Sequence, residues 1–333
     1  MQKILLLTTG GTISSTQSKD GLKPTNTTQM LKSILEDEET TIDCETIFIL
    51  DSSNIQPEEW IVLANKLYEN LKKYDGIIIT HGTDTMSYTA SMISFMIQNP
   101  NIPIVFTGSQ LPIEHPLTDA VDNLRCAFAM AKSKTPGIFL AFNRKILFGC
   151  RSVKARTSSF DAFESINFKT FGRISATGLS LHKEMLKPVI EAPTINTKIE
   201  TNIFLLKLTP TTNPNIIPLL ISTGVKGIII EAYGAGGISF IRRDFVKEIQ
   251  NSIHKGIPIV VCSQCLYERA NFNIYEVGTK VLASGAIEAF DMTTEATVTK
   301  LMYALGQTNN LAEIKKIFLT PISYEINPEN YNN

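Results

Sequence analysis

The chain has 333 residues, of which 43% are hydrophobic and 19% are charged, and its formal net charge at pH 7 is −1. This composition is ordinary for a globular protein, and the scattered lysines and arginines argue against nucleic acid or an acidic membrane as partner. No apolar run approaches the roughly 18 residues that suggest a membrane span, and the N-terminus has no signal-peptide pattern. Because the five cysteines are unevenly spaced, we expect a reducing, cytoplasmic setting.

The first half of the chain alternates between strand and helix patterns, which predicts an α/β fold with a mainly parallel sheet. Strands are predicted over residues 4–8, 47–50, 76–80, 102–107 and 137–142. One helix is predicted after Pro57, because apolar residues recur at helical spacing from Trp60 to Leu71. Two more helices are predicted over 86–97 and 120–131.

A second α/β region follows a stretch that looks like a linker. Residues 187–194 contain two prolines and have no clear period, which is typical of a domain connection. We therefore expect a larger N-terminal domain over 1–186, a linker over 187–200 and a smaller C-terminal domain over 201–333. Its expected elements are 203–208, 216–222, 227–232, 240–253, 257–262 and a final helix over 294–305 that Thr293 or Thr294 caps.

Two polar segments follow predicted strands and carry groups suited to chemistry. Residues 9–13 read Thr-Gly-Gly-Thr-Ile, and residues 81–85 read His-Gly-Thr-Asp-Thr. In parallel sheets, ligands bind beyond the carboxyl ends of the strands, so both segments are expected at one crevice. Their hydroxyls and carboxylate suit nucleophilic attack on a carbonyl. The competing interpretations are a plain glycine turn for the first segment and a helix cap at Asp84 for the second.

A hydroxyl nucleophile needs a base, and Lys154 is the candidate. The four histidines are scattered, so none is an obvious partner. Lys154 lies beyond a predicted strand among small residues, and a desolvated lysine can act as a general base. The competing interpretation is that Lys154 is an ordinary solvated lysine. The polar stretch 14–21 is expected to be a mobile loop.

Taken together, these segments resemble the signatures of the bacterial-type L-asparaginases. The resemblance continues through Thr-Gly-Ser-Gln-Leu-Pro at 107–112, then 119–124, 160–163 and 291–296, so it spans essentially the whole chain. The lack of a signal-peptide pattern favours the cytoplasmic type I branch. The resemblance implies hydrolysis of L-asparagine to L-aspartate and ammonia (EC 3.5.1.1), with L-glutamine as a weaker substrate. It also implies no cofactor, no metal and a homotetramer built as a dimer of dimers.

The resemblance further implies roles for individual residues. Thr12 would be the primary nucleophile. Thr83, Asp84 and Lys154 would form a triad in which Lys154 accepts the proton of Thr83 and Asp84 orients the lysine. Thr83 itself would attack or activate water, and Asp84 would also hold the substrate α-ammonium group.

Substrate binding is assigned in the same way. Ser53 and its neighbours Asp51 and Ser52 would bind the substrate α-carboxylate. Backbone N–H groups near Gly11 and Thr83 would form the oxyanion hole. Removing one such donor typically lowers the rate by about 10²–10³.

The chain departs from the family pattern at two positions. Many members carry a tyrosine on the mobile loop where this chain has Leu22, so Tyr275, from the same or a neighbouring subunit, is the candidate replacement. Some type I members bind activating asparagine through an arginine just before a Tyr-Gly pair. Here Glu231 stands in that region, which argues against such activation.

The sequence leaves other functions open. Two further features resemble known motifs, but neither motif is complete. The pair Cys262 and Cys265 has redox-motif spacing, and the glycine-rich segment 234–239 resembles a dinucleotide-binding loop. They leave a nicotinamide-linked or redox enzyme as one alternative. Another is an amidohydrolase that accepts glutamine or works within an amidotransferase. A third is a non-enzymatic amino-acid sensor, which would have no need for Thr12 or Lys154.

Overall fold

The computed structural model describes residues 1–18, 21–188 and 191–327. These residues divide between two compact units, Met1–Thr197 and Lys198–Asn333. The domain ranges 1–186 and 201–333 and the linker 187–200 stay predictions. Residues 189–190 of the predicted linker, 19–20 of the predicted mobile loop and 328–333 of the predicted C-terminal domain lie outside the described residues. Within those ranges, no helix is long and apolar enough to cross a membrane.

The first unit is built on one large sheet and four helices within the described residues. Its strands are β1 (Gln2–Gly10), β2 (Ser15–Ser18), β3 (Gly21–Pro24), β4 (Thr40–Leu50), β5 (Gly76–Thr80), β6 (Ile97–Gln98), β7 (Pro103–Thr107), β8 (Gly137–Phe142), β9 (Lys145–Phe148), β10 (Ser152–Lys154), β11 (Phe163–Ser165), β12 (Gly172–Ser175), β13 (Gly178–Leu181) and β14 (Thr194–Ile195). Its helices are α1 (Thr28–Leu35), α2 (Pro57–Asn70), α3 (Met86–Met96) and α4 (Ala120–Ala131).

The main sheet is parallel over five of its strands. The order is β13-β12-β9-β8-β7-β5-β1-β4, and the pairs from β8 to β4 are parallel while β9, β12 and β13 are antiparallel. The central strand β5 is Gly-Ile-Ile-Ile-Thr and is buried throughout, as expected for a strand covered on both faces. The predicted α/β class with parallel sheets is confirmed.

Three parts of the first unit differ from the predictions. The edge strand β4 extends over Thr40–Leu50, whereas the prediction gave 47–50. Its first part was missed because polar residues on its exposed face hide the apolar pattern. The stretch 14–21, predicted as a mobile loop, includes strand β2, which pairs antiparallel with β3. Within the predicted linker, β14 pairs with β6.

The second unit contains a smaller parallel sheet. Its elements are α5 (Ile216–Ser222), α6 (Phe245–His254), α7 (Glu276–Ala283), α8 (Thr294–Gln307), α9 (Leu311–Leu319), β15 (Ile203–Lys207), β16 (Gly227–Ala232), β17 (Ile259–Ser263) and β18 (Ile287–Glu288). The strand order is β15-β16-β17-β18. The Thr293 hydroxyl accepts from the Ala296 N–H, so Thr293 is the cap of α8. Helix α9 was not predicted, although Asn310 caps it and Ile314 and Phe318 are buried at helical spacing.

Candidate active site

The site lies where the order of the main sheet reverses. Its five parallel strands follow the order 2-1-3-4-5, in which β1 lies between β4 and β5. Ligands bind beyond the carboxyl ends of the strands at such a switch point. Strands β1 and β5 pair in register up to Thr8 and Thr80, so the polar segments that follow them leave the sheet side by side.

Glycines let the turns beyond β1, β4 and β5 pack closely against one another. Gly11 has φ 78°, and a Cβ added there would lie 2.4 Å from the Gly82 nitrogen. A Cβ added at Gly82 would in turn lie 2.6 Å from the Ser52 Oγ. No larger residue fits at either position without moving the backbone, so the two glycines bring the three turns into one site.

Thr12 begins a 3₁₀ turn, Thr12–Ser14, and its side chain is half-buried. The Gly11 N–H donates to the Leu50 carbonyl at 2.8 Å, so this amide is not available as the predicted oxyanion donor. The Gly11 carbonyl accepts from the Ser14 N–H at 3.1 Å and the Ser15 Oγ at 2.9 Å. The Thr12 N–H of this turn, by contrast, donates no hydrogen bond to the protein among the described residues.

Lys154 contacts both of its predicted partners. Its Nζ lies 2.7 Å from the Thr83 Oγ1 and 2.6 Å from the Asp84 Oδ1. Lys154 ends β10, and its side chain is 18% exposed, whereas the Asp84 side chain is 62% exposed. Asp84 does not cap α3, because Thr85 occupies the cap position. The arrangement has an amine in contact with both a hydroxyl and a carboxylate at the edge of the crevice.

Gln110 is a site residue that the sequence analysis did not single out. The Thr83 hydroxyl donates to the Gln110 Oε1 at 3.4 Å. The Gln110 Nε2 donates to the carbonyls of Thr157 and Ser159, both at 3.0 Å, which fixes the orientation of the side-chain amide. Its backbone N–H donates to the Asp119 carboxylate. Gln110 lies within the motif at 107–112, so a signal existed, but its contact with Thr83 is visible only in the fold.

The turn after β4 carries the predicted carboxylate-binding residues. Asp51 accepts from the Ser53 N–H at 2.8 Å and from the Ser53 Oγ at 2.5 Å. Ser52 is buried, and its carbonyl accepts from the Thr85 hydroxyl at 2.8 Å. Because Ser52 also abuts Gly82, this turn is joined directly to the one that carries Thr83.

The remaining predicted residues lie elsewhere. Leu22 lies on β3, paired in register with position 17 of β2, and its side chain is exposed. Tyr275 belongs to the second unit, where it precedes α7 with an exposed side chain. Glu231 is the penultimate residue of β16, where it pairs with Lys207 at 3.4 Å and accepts from the Thr294 hydroxyl at 2.8 Å.

The two incomplete motifs have local structural roles. Cys262 is buried and Cys265 exposed, both are free, and burial raises the pKa of the Cys262 thiol. In the glycine-rich segment, the N–H groups of Gly236 and Gly237 both donate to the Tyr233 carbonyl. Those amides close a turn and cannot also cradle a phosphate. Within the described ranges, no group of three His, Cys, Asp or Glu side chains is placed to hold a metal ion.

The chain matches two families along its length. Residues 3–187 match the family described as "Asparaginase, N-terminal", and residues 202–318 match "Glutaminase/Asparaginase C-terminal domain". The L-asparaginase of Thermococcus kodakarensis is 40% identical over 329 residues, which cover 97% of this chain and 99% of the relative. A component of the glutamyl-tRNA(Gln) amidotransferase of Pyrococcus abyssi is 33% identical, and the match covers 98% of this chain and 77% of that protein.

Solved structures agree with these matches. The thermostable L-asparaginase from Thermococcus kodakarensis superposes with a TM-score of 0.92 at 38% identity, covering 98% of this chain and 99% of that one. L-asparaginase I from Vibrio cholerae superposes with a TM-score of 0.86 at 27% identity, covering 98% and 99%. The predicted resemblance to the type I branch is thereby confirmed. The chain therefore belongs to the asparaginase family and is an amidohydrolase.

Proposed function

We propose that this protein is an L-asparaginase that hydrolyses the side-chain amide of L-asparagine to L-aspartate and ammonia. The observation that carries the proposal is the contact of the Lys154 amine with the Thr83 hydroxyl and the Asp84 carboxylate, beside the turn that bears Thr12. These are the nucleophile, base and orienting group that amide hydrolysis without a metal requires. The similarity to a curated L-asparaginase along the full chain supports the same substrate.

The substrate is a zwitterion with a terminal amide, and each of its groups has a counterpart. Asp84 keeps most of its carboxylate surface open while Lys154 holds one oxygen, so it can receive the α-ammonium group. The exposed Ser53, with Ser52 and Asp51, supplies the turn proposed to receive the α-carboxylate, and the Ser53 hydroxyl exchanges Asp51 for the substrate when it donates there. The amide carbonyl then lies toward the Thr12 turn.

In the proposed reaction, the Thr12 Oγ attacks the amide carbon and forms a C–O bond. Collapse of the tetrahedral intermediate breaks the C–N bond, and ammonia leaves with the proton of the attacking hydroxyl. Water then hydrolyses the ester, which releases L-aspartate and restores Thr12. Thr83 takes a proton from this water as Lys154 accepts the Thr83 proton, with Asp84 orienting the lysine. Lys154 then returns a proton to the Thr12 oxygen as the ester bond breaks. Gln110 accepts the Thr83 hydrogen before the reaction and so orients that hydroxyl.

The same proposal extends to the setting of the enzyme. We place it in the cytoplasm as a homotetramer with weaker activity toward L-glutamine. We name Tyr275 as the residue that replaces the loop tyrosine missing at Leu22. The free cysteines among the described residues are compatible with a reducing compartment.

The direct test is ammonia release from L-asparagine and L-glutamine by the wild type, beside Thr12→Val and Thr12→Ser. We expect rapid release from L-asparagine, loss of release in T12V and partial retention in T12S, because only valine removes the hydroxyl. Release from L-glutamine at comparable efficiency would instead support a broader amidohydrolase. Binding of L-asparagine without release of ammonia would contradict the proposal and favour a sensor.

A further inference from the structure

His81 is a buried polar residue that the proposed reaction does not use. It lies directly before Gly82, and its side chain is 1% exposed. Its Nε2 lies 3.0 Å from the Thr89 Oγ1, which lies 2.9 Å from the Trp60 Nε1. Its Nδ1 lies 2.7 Å from the Gly82 carbonyl oxygen. These contacts form a chain from α2 through α3 to the turn that bears Thr83.

Each hydrogen bond of this chain has only one possible direction. An indole N–H only donates, so Thr89 accepts from Trp60, and a carbonyl only accepts, so the His81 Nδ1 carries a proton. Burial lowers the pKa of His81 to about 4, so the ring is neutral at pH 7 and its Nε2 is an acceptor. The Thr89 hydroxyl therefore donates to Nε2, and every polar atom in this series of hydrogen bonds has its partner.

This series of hydrogen bonds ends on the peptide group that links Gly82 to Thr83. In a trans peptide the carbonyl and the N–H point in opposite directions, and no cis peptide occurs in the described part of the chain. Holding the Gly82 carbonyl toward His81 therefore turns the Thr83 N–H away from the buried ring. Among the described residues, that N–H donates no hydrogen bond to the protein. It is available to a ligand.

We propose that His81 is a positioning residue, which locks the Gly82–Thr83 peptide so that the Thr83 N–H meets the substrate oxygen as it becomes an oxyanion. The inference rests on the proposed function, because it assigns a role in that reaction. A fixed donor stabilises the transition state more than one that must reorient during the reaction. A glycine at position 82 makes such a lock necessary, since its backbone is free to adopt other conformations.

The turn at Thr12 has a parallel arrangement that supports this interpretation. There the Gly11 carbonyl accepts from the Ser15 hydroxyl and the Ser14 N–H, and the same peptide carries the Thr12 N–H. Both threonine amides thus belong to peptides whose carbonyls are held by donors from the protein. Two such donors side by side are the usual composition of an oxyanion hole.

The test compares His81→Leu, which removes the donor, with His81→Asn, whose side-chain NH₂ group can take the place of Nδ1. For L-asparagine we expect H81L to lose at least about tenfold in kcat, since removal of a whole donor costs about 10²–10³. KM and the Kd for L-aspartate should change by less than about threefold, because the oxyanion forms only after binding. H81N should recover most of the lost kcat.

Phe106→Leu is the matched control. The Phe106 ring meets the His81 ring edge to face at 6.3 Å and is fully buried, so F106L disturbs the same packing and leaves the hydrogen bonds in place. We expect F106L to lower the melting temperature without lowering kcat more than about threefold. Equal losses of kcat in F106L and H81L would overturn the inference.

The outcomes separate the two proposals. An active wild type together with an H81L variant of unchanged kcat overturns the role of His81 alone. A wild type that releases no ammonia overturns the proposed function and this inference with it. Should H81L fail to fold, Thr89→Val carries the test, because it removes the partner of Nε2. A fall in kcat without a change in KM supports the inference, and an unchanged kcat contradicts it.

Discussion

The carboxyl edges of the two parallel sheets carry similar polar groups but hold them differently. At the first sheet, Lys154 meets Thr83 and an Asp84 carboxylate that is largely open to solvent. At the second sheet, the Glu231 carboxylate is buried, forms an ion pair with Lys207 and accepts a hydrogen bond from the Thr294 hydroxyl. Polar residues at the ends of strands thus mark a candidate site only where some of their bonding capacity is left for a ligand.

The glutamines at the two edges make the same contrast. Gln110 and Gln264 each donate the side-chain NH₂ group to two backbone carbonyls, so both amides are fixed. The Gln110 oxygen then accepts from the Thr83 hydroxyl. Gln264 instead ties the ends of β15 and β16 together through Leu208 and Glu231. The same side chain serves the proposed chemistry at one edge and stability at the other.

The strongest way to break this comparison is to remove a lysine at each edge. Lys154→Met should lower kcat for L-asparagine by about 10³ or more, because general-base catalysis contributes about 10²–10⁴. Lys207→Met should leave kcat within about twofold, since Lys207 is exposed and its ion pair with Glu231 lies at the second sheet, in the other unit. Steady-state ammonia release measures both, and equal losses in the two variants would contradict the assignment.

A second test compares two glycines that share a positive φ. Gly11 has φ 78°, and a Cβ added there would lie 2.4 Å from the backbone nitrogen of Gly82. Gly178 has φ 97°, and a Cβ added there would meet no atom within 4 Å. Gly178→Ala should cost about 1 kcal/mol of unfolding free energy from backbone strain alone. Gly11→Ala should cost more and abolish activity, because the turns at Thr12 and Thr83 must separate. Urea unfolding and ammonia release check both parts, and an active G11A enzyme would refute the close packing.

The two glutamines sharpen the comparison. Gln110→Leu should lower kcat about tenfold by releasing the Thr83 hydroxyl, while Gln264→Leu should lower stability by about 1–3 kcal/mol and leave kcat unchanged. Thermal melts and kinetics on the same preparations separate the two effects. A loss of stability in both variants with no loss of kcat in either would remove Gln110 from the site.

The smallest effect concerns Glu295, at the edge of the second sheet. Burial, and then the neighbouring Glu231 carboxylate, raise the pKa of Glu295 to about 7. Because the folded state holds a proton that the unfolded chain releases, stability falls as the pH rises from about 4.5 to 7, and the loss is complete above 7. Glu295→Gln should therefore stabilise the protein at pH 8 by about 1 kcal/mol or more and change it little at pH 4.5.

The exposed Glu69→Gln is the control for Glu295. It lies on α2 with an exposed side chain, so it makes the same change of glutamate to glutamine outside the protein interior. Urea unfolding at pH 4.5 and pH 8 gives the comparison. A Glu295→Gln variant with the same pH dependence as the wild type would contradict the raised pKa.

The fold was largely predictable because buried parallel strands have a strong local signature. The run Gly76–Thr80 and the helix Ala120–Ala131 were predicted with the bounds observed. The rule for the carboxyl ends of parallel strands then placed the segments at 9–13 and 81–85 together. The first part of β4 escaped prediction because an edge strand with polar side chains lacks the apolar run.

Contacts between residues distant in the chain could not be predicted from local pattern. Gln110 meets Thr83 across 27 residues, and its amide is held by carbonyls 47 and 49 residues further on. His81 is recognisable in the sequence as a polar residue at a strand end. Trp60, which is linked to it through Thr89, stands in a helical pattern that indicates only an apolar face of α2. Hydrogen-bond partners of this kind are set by tertiary packing, which periodicity does not encode.

The most direct test of the central claim is the rate of L-asparagine hydrolysis by Thr83→Ser and Thr83→Val. The claim is that the Thr83 hydroxyl, held by Lys154 and Gln110, takes part in the reaction. We predict that T83S keeps kcat within about tenfold of the wild type and that T83V loses about 10³ or more, since only T83V lacks the hydroxyl. A T83V enzyme as active as T83S would contradict the account.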